Sequence, residues 1–267
     1  MSESTQPKST ATAARPADGL SSHWYSKAGE PMHFVERSDG KGTRPATLRD
    51  AKKLGLLPSP TSILKVLRAP QLEAWLIEQA CLAVLTAPRN PDEPLDAFVE
   101  RVLHTEKQQD EQAAAARDLG TQIHAGVEVV LGGGECEKAV EPYVLPAVAE
   151  MRSRFGTMQS CEAVVVGDRC AGKLDATFWD GQKTTIVDVK TTSNPPTKGS
   201  WLEHRLQLSF YAKALWSAGQ IQTANVYVST KVPGVIEVFE HTDWQETYEK
   251  GFLPLLNYWC FANNYHP

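Results

Sequence analysis

The sequence holds few cysteines, and none is spaced as a pair. Cys81, Cys136, Cys161, Cys170 and Cys260 are an odd number with no CxxC among them. Zinc-ribbon and iron–sulfur spacings therefore find no support, and isolated thiols of this kind read as small core residues in a reducing compartment. No apolar run approaches the ~18 residues of a membrane span, and the N-terminus lacks the apolar core of a secretory signal. A soluble intracellular protein without a membrane partner is the expectation. A basic surplus is also missing: 27 Lys+Arg stand against 32 Asp+Glu, a net charge of −5. That excludes attraction of nucleic acid by net charge. Gly132-Gly-Gly is not followed by Gly-Lys-Ser/Thr, which argues against a phosphate-cradling loop. The chain shows no internal repeat.

What is present is enough chain, 267 residues, for one to two domains with a sizeable core. The charge is unevenly spread. Met1 to Pro70 carries 11 Lys/Arg against 6 Asp/Glu, and the remainder 16 against 26. An acidic surplus serves solubility or gathers carboxylates around a metal, and position must decide between the two.

Residues 1–22, rich in Ser, Thr, Ala and Pro without apolar periodicity, read as a disordered tail. A mitochondrial transit peptide is the rival reading, and Glu3 and Asp18 beside only Lys8 and Arg15 argue against it. Residues 23–118 read as a mainly helical extension. Pro58-Ser-Pro-Thr-Ser-Ile-Leu looks like a helix start, and Ile63, Leu64, Leu67, Leu72, Trp75, Leu76 and Ala80 continue the helical pattern with a break near Pro70. A second helical block spans about Pro94 to Leu131, and a third Glu141 to Phe155. In the remaining core, 119–267, Cys161 to Val166, Lys173 to Trp179 and Thr184 to Lys190 read as strands separated by turns at Gly167-Asp168 and Asp180-Gly181. A helix from Ser200 to Ala218, strands at Ala224 to Ser229 and Gly234 to Phe239, and a helix from Asp243 to Ala262 complete an α/β unit.

The chemistry concentrates in Gly172-Lys-Leu-Asp175-Ala and Ile186-Val-Asp188-Val-Lys190. A two-residue turn at Asp180-Gly181 pairs Trp179 with Gln182 and sets Asp175 opposite Ile186. Period-two alternation then points Asp175, Asp188 and Lys190 to one side of the sheet. Two adjacent carboxylates are costly unless a proton or cation lies between them, and a hard divalent ion such as Mg²⁺ or Mn²⁺ is the simplest remedy. Lys190 then orients or deprotonates a water and stabilises charge on a phosphate. The bland alternative is an exposed Asp-x-Lys ion pair on an edge hairpin. Gly120-Thr-Gln-Ile-His124-Ala-Gly-Val-Glu128 sets His124 and Glu128 on one helical face, and Gln207 and Tyr211 stand four apart on the helix after the Asp188 strand.

In that order, Gly-Thr-x-x-His at His124, Gly-x-x-Asp at Asp175, Asp188-Val-Lys190 and Gln207-x-x-x-Tyr211 resemble the PD-(D/E)xK nuclease superfamily and its RecB-type exonuclease branch. The resemblance covers roughly Gly120 to Tyr211. Pro58-Ser-Pro-Thr-Ser-Ile-Leu resembles the start of phage-encoded nucleases and of the mitochondrial genome maintenance exonuclease. It implies a restriction-endonuclease-like core, a central mixed β-sheet flanked by helices. It further implies that His124, Asp175, Asp188 and the Val189 carbonyl hold one or two Mg²⁺ or Mn²⁺ ions and that Lys190 is the catalytic lysine. Glu162 resembles an acidic residue that some members carry, and Gln207 and Tyr211, with Arg205 beside them, belong to the motif that supports the site and contacts DNA. Leu174 stands where the family name has proline, and the cysteines of the iron–sulfur branch are missing, so no cluster is expected.

The expectation is a metal-dependent deoxyribonuclease of the cytoplasm in a bacterial or phage-infected cell. It acts as an exonuclease on single-stranded or end-exposed DNA in replication, recombination or repair, with proteins of those processes as partners. The basic front end, with Lys41, Arg44, Arg49, Lys52, Lys53, Lys65 and Arg68, is expected to guide the strand. A restriction-type endonuclease and a non-cleaving nucleic-acid-binding module are the alternatives.

Overall fold

The computed structural model describes residues 23–67, 77–78, 81–90, 92–105, 107–216 and 219–267, without the side chains of 103–117. The expected tail 1–22, Arg68, the expected helix positions Leu72, Trp75, Leu76 and Ala80, and Ala218 lie outside the described residues. In chain order the elements are β1 (Trp24–Tyr25), β2 (Phe34–Glu36), β3 (Thr43–Pro45), α1 (Leu48–Leu54), β4 (Leu57–Pro58) and α2 (Pro60–Leu64). The long helices α3 (Leu95–Thr105), α4 (Lys107–Leu131) and α5 (Glu141–Phe155) follow. Then come β5 (Thr157–Cys161), β6 (Val164–Val166), β7 (Ala171–Lys173), β8 (Ala176–Trp179), β9 (Lys183–Thr192), α6 (Leu202–Leu215), β10 (Gln220–Ser229) and β11 (Ile236–His241). Helix α7 (Trp244–Thr247), a π-helical turn (Tyr248–Phe252) and α8 (Leu253–Ala262) end the chain.

A five-stranded mixed sheet in the order β11-β10-β9-β8-β5 organises the molecule. β9 and β10 run parallel, joined through α6, and the other neighbours are antiparallel. Alternation along β9 and β10 sends Val187, Val189, Ala224, Val226 and Val228 to one face, where Ile123 and Val127 of α4 and Val144, Val148 and Met151 of α5 cover them. Ile186 points to the other face, into a core with Leu206, Leu208, Phe210 and Tyr211 of α6 and Trp244, Phe252 and Trp259 further on. The result is a three-layer α/β arrangement, as the sequence implied.

Residues 23–67 depart from the expected helical extension. They hold the short pairs β1–β4 and β2–β3 alongside α1 and α2, and Trp24, Ala46, Leu56 and Ile63 are part of the core beneath α6. Strands of two or three residues are too short to show alternation, so nothing in the sequence separates them from loop. The helix starts are locally encoded. Thr47 and Asp50 form a capping box on α1, with Arg44 forking the Asp50 carboxylate at 2.7 and 2.9 Å. Ser59 caps α2, where Pro60 takes the first turn.

The Asp180-Gly181 hairpin also differs in register. Trp179 pairs with Thr184, and Thr177 with Ile186, so the turn is two residues longer than expected. Asp180 causes the change: its carboxylate accepts the N–H groups of Gln182 and Lys183 at 2.8 and 2.9 Å and closes a wider turn on Gly181 at φ 98°. A shift of two preserves parity, and the Asp175 position falls opposite Asp188 instead of Ile186. The expected strand Lys173 to Trp179 is broken at Leu174-Asp175, with β7 pairing β6 in a separate two-stranded sheet.

Candidate active site

β8 begins only at Ala176, so beyond Val187 the β9 edge has no strand beside it on that side among the described residues. The Asp175 carboxylate takes the strand's place: its Oδ2 accepts the Val189 N–H at 2.7 Å. The N–H and C=O of one strand residue point to the same edge, so the Val189 carbonyl opens on the same gap. Asp175 Oδ1 has no hydrogen bond among the described residues and is not sealed from solvent. Asp188, one residue along and almost wholly buried, points to the α6 face of the sheet beside it.

From Asp188 a polar chain runs in both directions. Lys190 Nζ donates to Asp188 Oδ1 at 2.9 Å and to Gln207 Oε1 at 3.1 Å. Gln207 Nε2 donates to the Tyr211 hydroxyl at 3.3 Å, which donates in turn to the Lys173 carbonyl at 2.8 Å. That last bond needs a close approach of α6 to β7, which Gly172 allows: a Cβ there would lie 3.0 Å from the Tyr211 oxygen and 2.8 Å from Pro60 Cδ. On the other side, Asn225 of β10, in register with Asp188, donates to its Oδ2 at 3.0 Å. Asn225 Oδ1 can only accept, so His241 Nε2, 3.2 Å away, carries the proton between them; Ser200 Oγ lies 3.2 Å from the same nitrogen.

The electrostatics follow from burial. Loss of solvent raises the Asp188 carboxyl to about 6, with Lys190 opposing and Asp175 reinforcing the rise. Burial works against the Lys190 ammonium, but Asp188 and Asp175 outweigh it and hold Lys190 above its ordinary value. Burial and Lys190 push His204 down to about 3, and burial and Arg205 push His241 down to about 4, so both imidazoles are neutral near pH 7.

A buried Asp-x-Lys paired through its own strand, with a second carboxylate at the strand gap, is the arrangement that the sequence resemblance implies. The model of the PD-(D/E)XK nuclease superfamily matches residues 93–256, more than half of the chain. The chain belongs to the PD-(D/E)XK nuclease superfamily. No curated protein matches it. A solved structure titled "Crystal structure of SSO0001" is 14% identical over 69% of this chain and 86% of its own, with a TM-score of 0.33, a likeness that carries no argument about function.

For the divalent ion that this superfamily implies, the donors suit: the Asp175 carboxylate and the Val189 carbonyl at the gap, with the Asp188 carboxylate near enough for Asp175 to act on its charge, all hard oxygens. Among the described residues, no three His, Cys, Asp or Glu side chains converge on a metal position, so the structure does not gather His124 with Asp175 and Asp188. α4, which carries His124 and Glu128, packs on the sheet face opposite Asp188, with Gly120 against Thr191. Glu128 comes near the site from that side. Burial, joined by the Glu128 and Asp175 carboxylates, raises the Cys161 thiol to about 11.

Glu162 donates its N–H to the Asp175 carbonyl at 2.9 Å, but its carboxylate pairs with Lys173. Its φ of 55° is a left-handed conformation that a non-glycine residue seldom takes. Arg205 is drawn away from Gln207 and Tyr211 toward Asp243, at 2.6 Å, and its Nε is buried without a hydrogen-bond partner among the described residues. It lines a cavity of about 580 Å³ with Ser200, His241 and Asp243. The sequence reading missed Asn225, His241 and Tyr227. Their one signal in the sequence is a polar Asn inside an otherwise apolar run, Ala224-Asn225-Val226, which the structure buries fully.

Proposed function

We propose that this PD-(D/E)XK protein is a divalent-metal-dependent deoxyribonuclease that works as an exonuclease on single-stranded or end-exposed DNA in replication, recombination or repair. The observation that carries the reading is the convergence at the start of β8: Asp175 on the Val189 N–H, and Asp188 bridged by Lys190 on the neighbouring strand. Asp175, Asp188 and the Val189 carbonyl would hold Mg²⁺ or Mn²⁺, and His124 on α4, which the described geometry leaves apart from them, would join as a further ligand only by moving toward the bound ion. The bound ion supplies Lewis-acid polarisation of the scissile phosphate and the attacking water.

Lys190 has three N–H donors, and Asp188 and Gln207 take two of them. The third orients the water and stabilises charge developing on a phosphate oxygen. Gln207 fixes the ammonium and is itself fixed by Tyr211, so the motif on α6 acts on the chemistry through Lys190. Asn225 holds the other Asp188 oxygen. Glu162 adjusts Asp175 through the backbone bond between them, and Arg205 contacts the strand from the neighbouring cavity.

End-labelled linear and closed circular DNA, single- and double-stranded, incubated with Mg²⁺ or Mn²⁺ tests this reading. The expected result is loss of linear single strands from their ends with circles intact. Digestion of a closed single-stranded circle would replace exonuclease with endonuclease.

A further inference from the structure

Trp201 stands at the N-cap of α6, makes no side-chain capping bond and is 40% exposed as a residue. The ring is nevertheless held in place. Its backbone N–H donates to the Tyr227 hydroxyl at 3.2 Å, and the same hydroxyl lies 2.8 Å from His204 Nδ1. The indole leans on His204 at 5.3 Å and 58° and on Tyr227 at 5.4 Å and 75°. Neither contact is parallel, so no aromatic ring stacks on the indole face among the described residues.

Tyr227 is fully buried and in register with Lys190 on the neighbouring parallel strand, which places both side chains on one face. Trp201 is therefore separated from the candidate catalytic lysine by a single side chain. It closes the loop that leaves the C-terminal end of β9, and Lys198 on that loop and Lys231 on the loop after β10 are exposed. Ligands of open α/β sheets bind outside the carboxyl ends of the parallel strands.

We propose that Trp201 is a stacking platform for an unpaired nucleobase of the substrate strand beside the scissile phosphate, with Lys198 and Lys231 contacting the flanking phosphates. The proposal rests on the nuclease reading above and names its substrate as single-stranded or frayed nucleic acid. Inside a duplex both faces of a base are covered by neighbours, so only an unpaired, flipped or terminal base offers one to an indole. Stacking is indifferent to sequence because every base has a π face, and a ring already braced by Tyr227 and His204 loses little freedom on binding.

The test compares the full-length protein with Trp201→Ala and Trp201→Phe. Binding of a fluorescein-labelled oligothymidylate is read by anisotropy in EDTA, and its cleavage is read with Mg²⁺ or Mn²⁺. Loss of one stacked base corresponds to about 5- to 150-fold weaker binding for the alanine variant, with a matching rise in KM, while phenylalanine keeps most of the affinity. An abasic substitution scanned along the oligonucleotide should, at one position, bring the parent down to the alanine variant and leave that variant unchanged. Equal binding by parent and alanine variant, or an unchanged difference at every abasic position, overturns the stacking proposal even if both cleave DNA. A parent that binds the oligonucleotide through Trp201 yet cleaves nothing overturns the nuclease reading and leaves the platform standing.

Discussion

Asp188 carries a carboxylate into a position 3% exposed, with one oxygen on Lys190 and the other on Asn225. Its folded pKa, about 6 against an ordinary 3.8, means that the fold binds a proton there more readily than the unfolded chain. In the absence of metal, Asp188 therefore favours folding as pH falls from about 6 toward about 4. His204 and His241 act in the opposite sense. Their folded values of about 3 and 4 lie below 6.5, so their stabilisation is complete above pH 6.5 and is lost as pH falls toward the folded values. Urea unfolding in EDTA should show net loss of stability with acidification. Asp188→Asn removes the opposing contribution, so its stability should fall more steeply than the parent's between about pH 6 and 4. Parallel curves for the two proteins would show that Asp188 does not titrate as the burial requires.

At the level of elements, the support of the site depends on how closely α6 approaches β7. Gly172→Ala places a methyl 2.8 Å from Pro60 and 3.0 Å from the Tyr211 oxygen, both held by packing. Overpacking of this kind costs about 1–3 kcal/mol, read as a lower urea midpoint with unchanged slope. Displacing Tyr211 also loosens Gln207 and Lys190 in turn, so cleavage should fall together with stability. A midpoint equal to the parent's would mean that α6 does not need the contact.

The same elements show what local sequence can carry. Asp175, Asp188 and Lys190 are legible because one hairpin joins their strands and parity survives the longer turn that Asp180 builds. Gln207 and Tyr211 are legible through helical spacing. Asn225 and His241 are not, because the β9–β10 pairing reaches across α6 and the register of a parallel crossover is set by tertiary packing. The strands of residues 23–67 are shorter than the period needed to recognise them.

Over the whole molecule, the basic front end is not a detached arm. Trp24 and Ile63 are buried with Leu206 and Trp259, and the Tyr265 hydroxyl bonds the carbonyls of Ala51 and Leu56. Its charges are unequally available: Arg44 is committed to Asp50, while Lys52 and Lys53 are exposed on α1. The acidic surplus divides likewise, with Asp175 and Asp188 gathered at the strand gap and residues such as Asp168 and Glu246 on the surface. Central to the proposed function is hydrolysis of DNA by the carboxylates and lysine beside the start of β8, with a divalent ion. Hydrolysis of end-labelled single-stranded DNA by the parent, Asp188→Asn and Lys190→Ala, each with Mg²⁺, Mn²⁺ or EDTA, tests it directly. Cleavage by the parent is expected only with metal, with losses of about 10²–10⁴-fold in both variants. Variants that degrade DNA as fast as the parent, or a parent whose cleavage survives EDTA, would contradict it.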